Sequence, residues 1–232
     1  MKIGLIGDSL TEGRPGVSFF KILQKKFPAD TFVNLGKPGE SVKSLHTRLT
    51  TSNLEMNFDL AFLWIGVNDV YSKLLNVQAQ PVAKDHEEFR DYFNQVLDII
   101  IKTCNHVITV SPALVGENLK NASNKEIKDL SAIIQTISSK HPNVSFFNMQ
   151  AVFEKHLAEV TCSDYISTNV MRVMMDVLFY KNPTRIDQLS KKRGLHFTLD
   201  GIHLNSTGAA IVADQYASLI ERLIYDNNKA IE

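Results

Sequence analysis

Short apolar runs alternate along this chain with longer segments of helical period, the pattern of a parallel sheet covered on both faces by helices. Strands are predicted at about residues 2–6, 31–35, 58–65, 105–111 and 143–148. The third run, Phe58-Asp59-Leu60-Ala61-Phe62-Leu63-Trp64-Ile65, is almost wholly apolar. A strand buried on both faces has no need to alternate, so this one is expected at the centre of the sheet.

Helices fill the intervals. Asp85-His86-Glu87-Glu88 opens one in the manner of a capping box, with Asp85 as cap and Glu88 three residues on. Phe89, Phe93, Val96, Leu97, Ile100 and Ile101 then recur at helical spacing. Asn124 or Ser123 is expected to cap the next, which carries Ile127, Leu130, Ile133, Ile134 and Ile137 and stops by Pro142. The last begins near Asn205-Ser206 and presents Ile211, Val212, Tyr216, Leu219, Ile220, Leu223 and Ile224 to a core.

Residues 161–197 break the alternation. Within them a helix is predicted from Tyr165 to Tyr180, with Ile166, Val170, Met171, Met174, Met175, Val177, Leu178 and Phe179 as its apolar positions. A connection of this length reads as a functional elaboration. Its methionines suit a lid or an acyl-chain contact, since flexible thioethers fit a variable apolar ligand; core packing and a homo-oligomer surface are the alternatives. With no repeat, low-complexity tract or linker, residues 1–232 read as one domain with this insertion.

Charge removes some partners from consideration. Lys and Arg number 25, and Asp and Glu number 25, so there is no broad attraction to nucleic acid or anionic membrane. No apolar stretch approaches the ~20 residues that span a bilayer. The start, Met1-Lys2-Ile3-Gly4-Leu5-Ile6, enters the first strand without the regions of a signal peptide. Cys104 and Cys162 are the only cysteines and read as free thiols, so the expectation is a cytoplasmic protein.

Candidate chemistry sits at the strand ends. Gly7-Asp8-Ser9-Leu10 follows the first strand, where parallel sheets gather helix N-termini and free backbone N–H groups. A serine there is either a nucleophile or a turn residue and cap. As a nucleophile it needs a base, and the useful base is a histidine oriented by a carboxylate. Asp200-Gly201-Ile202-His203 can set the carboxylate against Nδ1 and leave Nε2 free for a serine; an Asx-type turn with a surface histidine is the bland alternative. Donors for an oxyanion are offered by Asn68 in Gly66-Val67-Asn68-Asp69 and by the Gly39 N–H in Gly36-Lys37-Pro38-Gly39-Glu40-Ser41. The latter superficially suggests a phosphate loop but lacks Walker spacing. His46, His86, His106, His141, His156 and His196 show no metal-ligand spacing, and Asp8 and Asp69 read as loop-holding acceptors.

Taken together, Gly7-Asp8-Ser9-Leu10-Thr11-Glu12-Gly13, Asn34 to Ser41, Gly66 to Asp69 and Asp200 to Asn205 resemble the four blocks of the GDSL, or SGNH, hydrolase family. The resemblance implies a flavodoxin-like three-layer α/β/α sandwich, with a five-stranded parallel sheet of order 2-1-3-4-5 and no metal or organic cofactor. It implies Ser9 as nucleophile, His203 as general base and Asp200 as its orienting acid. The oxyanion hole it implies is built from the N–H groups of Ser9 and Gly39 and the Asn68 side chain. No Gly-x-Ser-x-Gly elbow surrounds Ser9, which disfavours the α/β-hydrolase fold. The reaction implied is hydrolysis of small or medium acyl esters, of the carboxylesterase, acetylesterase or lipase kind. A thioesterase or lysophospholipase is the alternative within the family, and a flavodoxin-like binding module the alternative of another class. The long 161–197 segment departs from compact members and bears on the substrate rather than the chemistry.

Overall fold

Strands β1 (Lys2–Gly7), β2 (Thr31–Gly36), β3 (Phe58–Trp64), β4 (Cys104–Val110) and β5 (Val144–Phe147) form one all-parallel sheet in the order β2-β1-β3-β4-β5. The computed structural model describes residues 1–52, 56–75, 80–169, 171, 175, 176 and 182–229. The order is that of a flavodoxin-like α/β/α sandwich, and β3 takes the central place its apolar run predicts.

Helices α1 (Ser9–Glu12), α2 (Phe19–Lys26), α3 (Val42–Thr51), α4 (Val67–Tyr71), α5 (His86–Ile101), α6 (Ala122–Ser138) and α7 (Met149–Leu157) are followed by one at Pro183–Lys192 and a C-terminal one at Ser206–Lys229. On one face α2 packs with the C-terminal helix; elsewhere α3 packs on α5 and α5 on α6. Tyr216 of the C-terminal helix stacks on Phe62 of β3, rings 4.1 Å apart, and meets Phe19 of α2 edge-on at 5.3 Å. Such pairs add about 0.5–1.5 kcal/mol each beyond the area they bury.

The chain leaves β1 toward β2 on one side, yet β3 lies on β1's other side. The loops after β1 and β3 therefore diverge and open a crevice at the carboxyl ends of these strands. Register places Gly7 of β1 beside both Gly36 of β2 and Trp64 of β3, so the three loops that follow start level.

Some local expectations change. Asp85 does cap α5, accepting from Glu88 N at 2.9 Å, but the Glu88 carboxylate turns to Lys84 N and Lys43 Nζ. A reciprocal box forms instead at α3, between Ser41 and Ser44. The cap of α6 is Asn121, not Asn124 or Ser123. Asn124 is buried and spends its side chain on Val115 N, Gly116 O and Asn118 O, tying the loop after β4 to the helix.

The helix expected from Tyr165 does not begin there. Residues 161–169 carry no regular structure, because their backbone is used on a neighbouring loop: Ser167 N donates to Asp200 O at 2.8 Å. Met171, Met175 and Asp176 are helical, and the rest of the expected helix after Asn169 lies outside the described residues. Met171 and Met175 face solvent, 70% and 51% exposed, which excludes core packing for these two side chains.

Candidate active site

Asp8 follows β1 and caps the single turn α1, its Oδ1 accepting from Leu10 N at 2.9 Å. Ser9 is the first residue of that turn, so its N–H has no acceptor within the helix. Beside it, Lys37 N donates to Gly7 O at 2.9 Å, and the chain turns from Lys37 to Glu40, closed by Glu40 N to Lys37 O at 3.3 Å. Pro38 holds the second position of this turn and Gly39, at φ 72°, the third, the type II pattern. A Cβ at Gly39 would meet nothing within 4 Å; the glycine is required by its backbone, and its face is open.

Asn68 lies in α4, just past β3, and its Nδ2 donates to Glu40 O at 3.0 Å. The next residue, Asp69, accepts from Val42 N at 2.9 Å. The Gly39 and Asn68 blocks are thus laced together through Glu40 and Val42.

Ser9, His203 and Asp200 form one hydrogen-bonded row. Ser9 Oγ is 3.0 Å from His203 Nε2, and His203 Nδ1 is 2.7 Å from Asp200 Oδ2. The other Asp200 oxygen accepts from Ile202 N at 3.0 Å and His203 N at 2.8 Å, which locks the carboxylate against the ring. Gly201 makes the bend at φ 93°, with Tyr165 O 2.8 Å from where its Cβ would be. Ser9, His203 and Asn68 are 3%, 5% and 6% exposed, so the row is nearly buried.

Burial opposes the charged form of His203, but the Asp200 carboxylate and its hydrogen bond outweigh it, so its pKa lies above the ordinary histidine value. Burial pushes Asp200 up, yet the charge and donors of His203 win and hold it below the usual carboxylate range.

Further carboxyls crowd the same edge. Asp8 and Asp69 are both pushed up to about 7, chiefly by burial. Glu40, 1% exposed and also raised by burial, takes a two-point grip from Arg48, Nε to Oε1 at 2.8 Å and Nη2 to Oε2 at 2.5 Å. Arg48 also donates to Leu35 O at the end of β2. Asp8 and Asp69 hold loops as expected from the sequence. The Glu40–Arg48 pair is not visible in the sequence, since a spacing of eight residues across a turn and a helix carries no signature.

Cys104 and Cys162 are both free. Among the described residues, no group of three or more His, Cys, Asp or Glu is placed to hold a metal ion, and no helix is long and apolar enough to cross a membrane.

Residues 3–216 match the family model described as GDSL-like Lipase/Acylhydrolase. The chain superposes on the crystal structure of the acetyl xylan esterase AlAXEase with a TM-score of 0.67 at 21% identity, covering 95% of this chain and 100% of that one. LAE5, an alpha/beta hydrolase enzyme from the metagenome of Lake Arreo, Spain, gives 0.67 at 18% identity over 94% and 93%. A catalytic mutant of Axe2, an acetylxylan esterase from Geobacillus stearothermophilus, gives 0.65 at 17% identity over 93% and 91%. No curated protein matches the chain in sequence.

Proposed function

This chain belongs to the GDSL-like lipase/acylhydrolase family and is an ester-bond hydrolase, and we propose that it works through an acyl-enzyme on Ser9. The observation that carries the reading is the row Ser9 Oγ, His203 Nε2, His203 Nδ1, Asp200 Oδ2, with spacings of 3.0 and 2.7 Å at its two hydrogen bonds.

Ser9 Oγ attacks the ester carbonyl carbon while its proton passes to His203 Nε2. Asp200 keeps the Nδ1 proton on the far side of the ring and stabilises the imidazolium. The carbonyl oxygen becomes an oxyanion, met by the N–H groups of Ser9 and Gly39 and the Asn68 side chain. Collapse breaks the ester C–O bond, and the leaving alkoxide takes the proton from His203. Water then gives a proton to His203 and attacks the acyl carbon; the second tetrahedral species releases the carboxylic acid and returns the proton to Ser9.

Two considerations bear on the acyl group. The low exposure of Ser9 and His203 suits a short acyl chain, acetyl first. Catalytic mutants of Axe2, an acetylxylan esterase, replace a serine, an aspartate and a histidine three residues after that aspartate, the spacing of Asp200 and His203 here. Acetylated saccharides are therefore the first substrates to try. We read the whole chain as one hydrolase domain, with residues 161–169 fastened to the Asp200–His203 loop through Ser167.

Fluorophosphonate labelling read by intact mass and peptide mapping tests the mechanism, alongside p-nitrophenyl esters of rising chain length, an acetylated xylo-oligosaccharide and an acyl-CoA. The label is expected on Ser9 and absent in Ser9→Ala, with acetate the fastest ester. Undiminished turnover by Ser9→Ala would overturn the acyl-enzyme; a bound flavin or nucleotide without labelling would favour the binding module.

A further inference from the structure

Glu117 lies in the loop after β4, 1% exposed, far in sequence from any block discussed above. Its Oε1 accepts from Phe197 N at 2.8 Å, Thr198 N at 2.9 Å and Thr198 Oγ1 at 2.7 Å; its Oε2 accepts from His196 N at 2.7 Å. The neighbouring Gly116 N donates to Gly201 O at 2.7 Å, between Asp200 and His203. Two consecutive residues of one sheet-borne loop thus grip the acid–base loop at its entry and at its bend.

The acid–base loop is otherwise closed largely on itself. Thr198 and Leu204 form an antiparallel bridge, Leu199 N donates to His203 O, and Asn205 N donates to Phe197 O. These bonds set Asp200 relative to His203. They do not set His203 relative to Ser9, which stands on β1, 194 residues earlier. That distance depends on what the loop is fastened to. On the Ser9 side, Val17 N donates to Leu204 O, immediately after His203. On the other side stands Glu117, carried by β4, which β3 joins to β1.

A buried carboxylate is an expensive way to hold a loop, since its desolvation costs several kcal/mol before its hydrogen bonds offset any of it. What it supplies is direction: four donors converge on two oxygens whose positions are set by the sheet.

We propose that Glu117 is a positioning residue, fastening the His196–Thr198 entry of the acid–base loop so that His203 stands within hydrogen-bond reach of Ser9. It touches no reacting atom and acts through His203. The proposal rests on the reading of Ser9 as nucleophile.

Glu117→Gln is the first test. The amide keeps one acceptor, which satisfies the Phe197 and Thr198 donors, and turns its NH2 against the His196 N–H, donor against donor. With p-nitrophenyl acetate, kcat is expected to fall about 10- to 100-fold with KM within about twofold, since misplacement on the order of an ångström costs that much. Rate is expressed per site titrated with fluorophosphonate. A merely structural role lowers the number of titratable sites and leaves the rate at each unchanged, and that result overturns the proposal. Where Glu117→Gln does not fold, Thr198→Val removes one donor at constant shape: kcat reduced about threefold or more per titrated site at unchanged KM supports the proposal, and native kcat overturns it. A native protein that takes no label at Ser9 overturns the acyl-enzyme reading and the proposal with it; a labelled native protein beside a Glu117→Gln variant of native rate overturns the proposal alone.

Discussion

The side-chain amide of Asn68 donates to the backbone carbonyl of Glu40 at 3.0 Å, so the loop after β3 is tied directly to the turn that presents Gly39. One Nδ2 hydrogen is spent on that bond, which fixes the amide plane and leaves the second hydrogen for the oxyanion of the mechanism we propose. A donor oriented before the reaction costs no reorganisation during it. Asn68→Ala is expected to lower kcat by about 10²- to 10³-fold while KM stays within a few-fold. Steady-state kinetics on p-nitrophenyl acetate decide: a rise in KM at native kcat would assign Asn68 to ground-state binding instead.

Removal of the base is expected to be more severe. His203→Ala leaves Ser9 without a proton acceptor, and kcat should fall about 10⁴-fold or more with the circular dichroism spectrum unchanged. Asp200→Asn keeps the shape but presents an NH2 or a neutral oxygen to Nδ1, and a loss on the order of 10⁴-fold is expected there too. A loss below tenfold for either would remove that residue from the row.

The pH profile follows from the charges facing His203. Burial works against its proton, while Asp200, Asp8 and Asp176 favour it, and the net effect lifts its pKa above 6.5. A base must be unprotonated to work, so kcat/KM should rise with pH along a limb centred above 6.5. Asp8→Asn keeps the cap on Leu10 and removes one of the carboxylates, so the limb should move to lower pH. Movement to higher pH would contradict the assignment.

Stability should depend on the ionisation of the same residue. The Asp8 pKa is about 7 in the fold against 3.8 for the unperturbed group, so the native state holds its proton over that interval while the unfolded chain releases it. Native stability is therefore full below about pH 4 and declines as pH rises toward 7. Asp8→Asn abolishes the decline, a gain of up to about 4 kcal/mol at pH 8 by the size of the shift. Urea unfolding at pH 8 and pH 4 measures it; an equal difference at the two pH values would exclude titration as the cause.

Breaking the Glu40–Arg48 pair should cost more than a surface ion pair does. Arg48→Ala leaves a carboxylate buried to 1% exposure without its cation, and about 3–5 kcal/mol of stability is expected to go. Arg48→Lys keeps the charge but not the two-point grip, so an intermediate loss is expected. Urea unfolding midpoints separate the three proteins.

Much of this molecule is legible in its residues. The β3 run is apolar because both of its faces are covered, and its place in the middle of the sheet follows from that alone. Ser9, Asn68 and the Asp200–His203 pair are legible as candidate chemistry because each follows a predicted strand or precedes a predicted helix. The α6 cap was not, because Asn121, Ser123 and Asn124 are all good cap residues and only the fold decides which one is drawn into the core. Ile166 and Val170 stand at helical spacing, yet Ser167 N is claimed by Asp200 O and residues 161–169 carry no regular structure.

The sequence by itself determined the strand–helix alternation, the sheet order its family resemblance implies, and the identity of the side chains that meet. Local propensity suffices for the alternation, since it depends on neighbours a few residues away, and the other two are carried by the four short blocks through the resemblance they support. Only the tertiary structure decided what holds those side chains in place: Glu40 on Arg48, Asn68 on Glu40, and Glu117 on residues 196–198. Buried carboxylates such as these have no sequence signature. Whether a charged residue is solvated or enclosed depends on which distant backbone donors the fold brings to it.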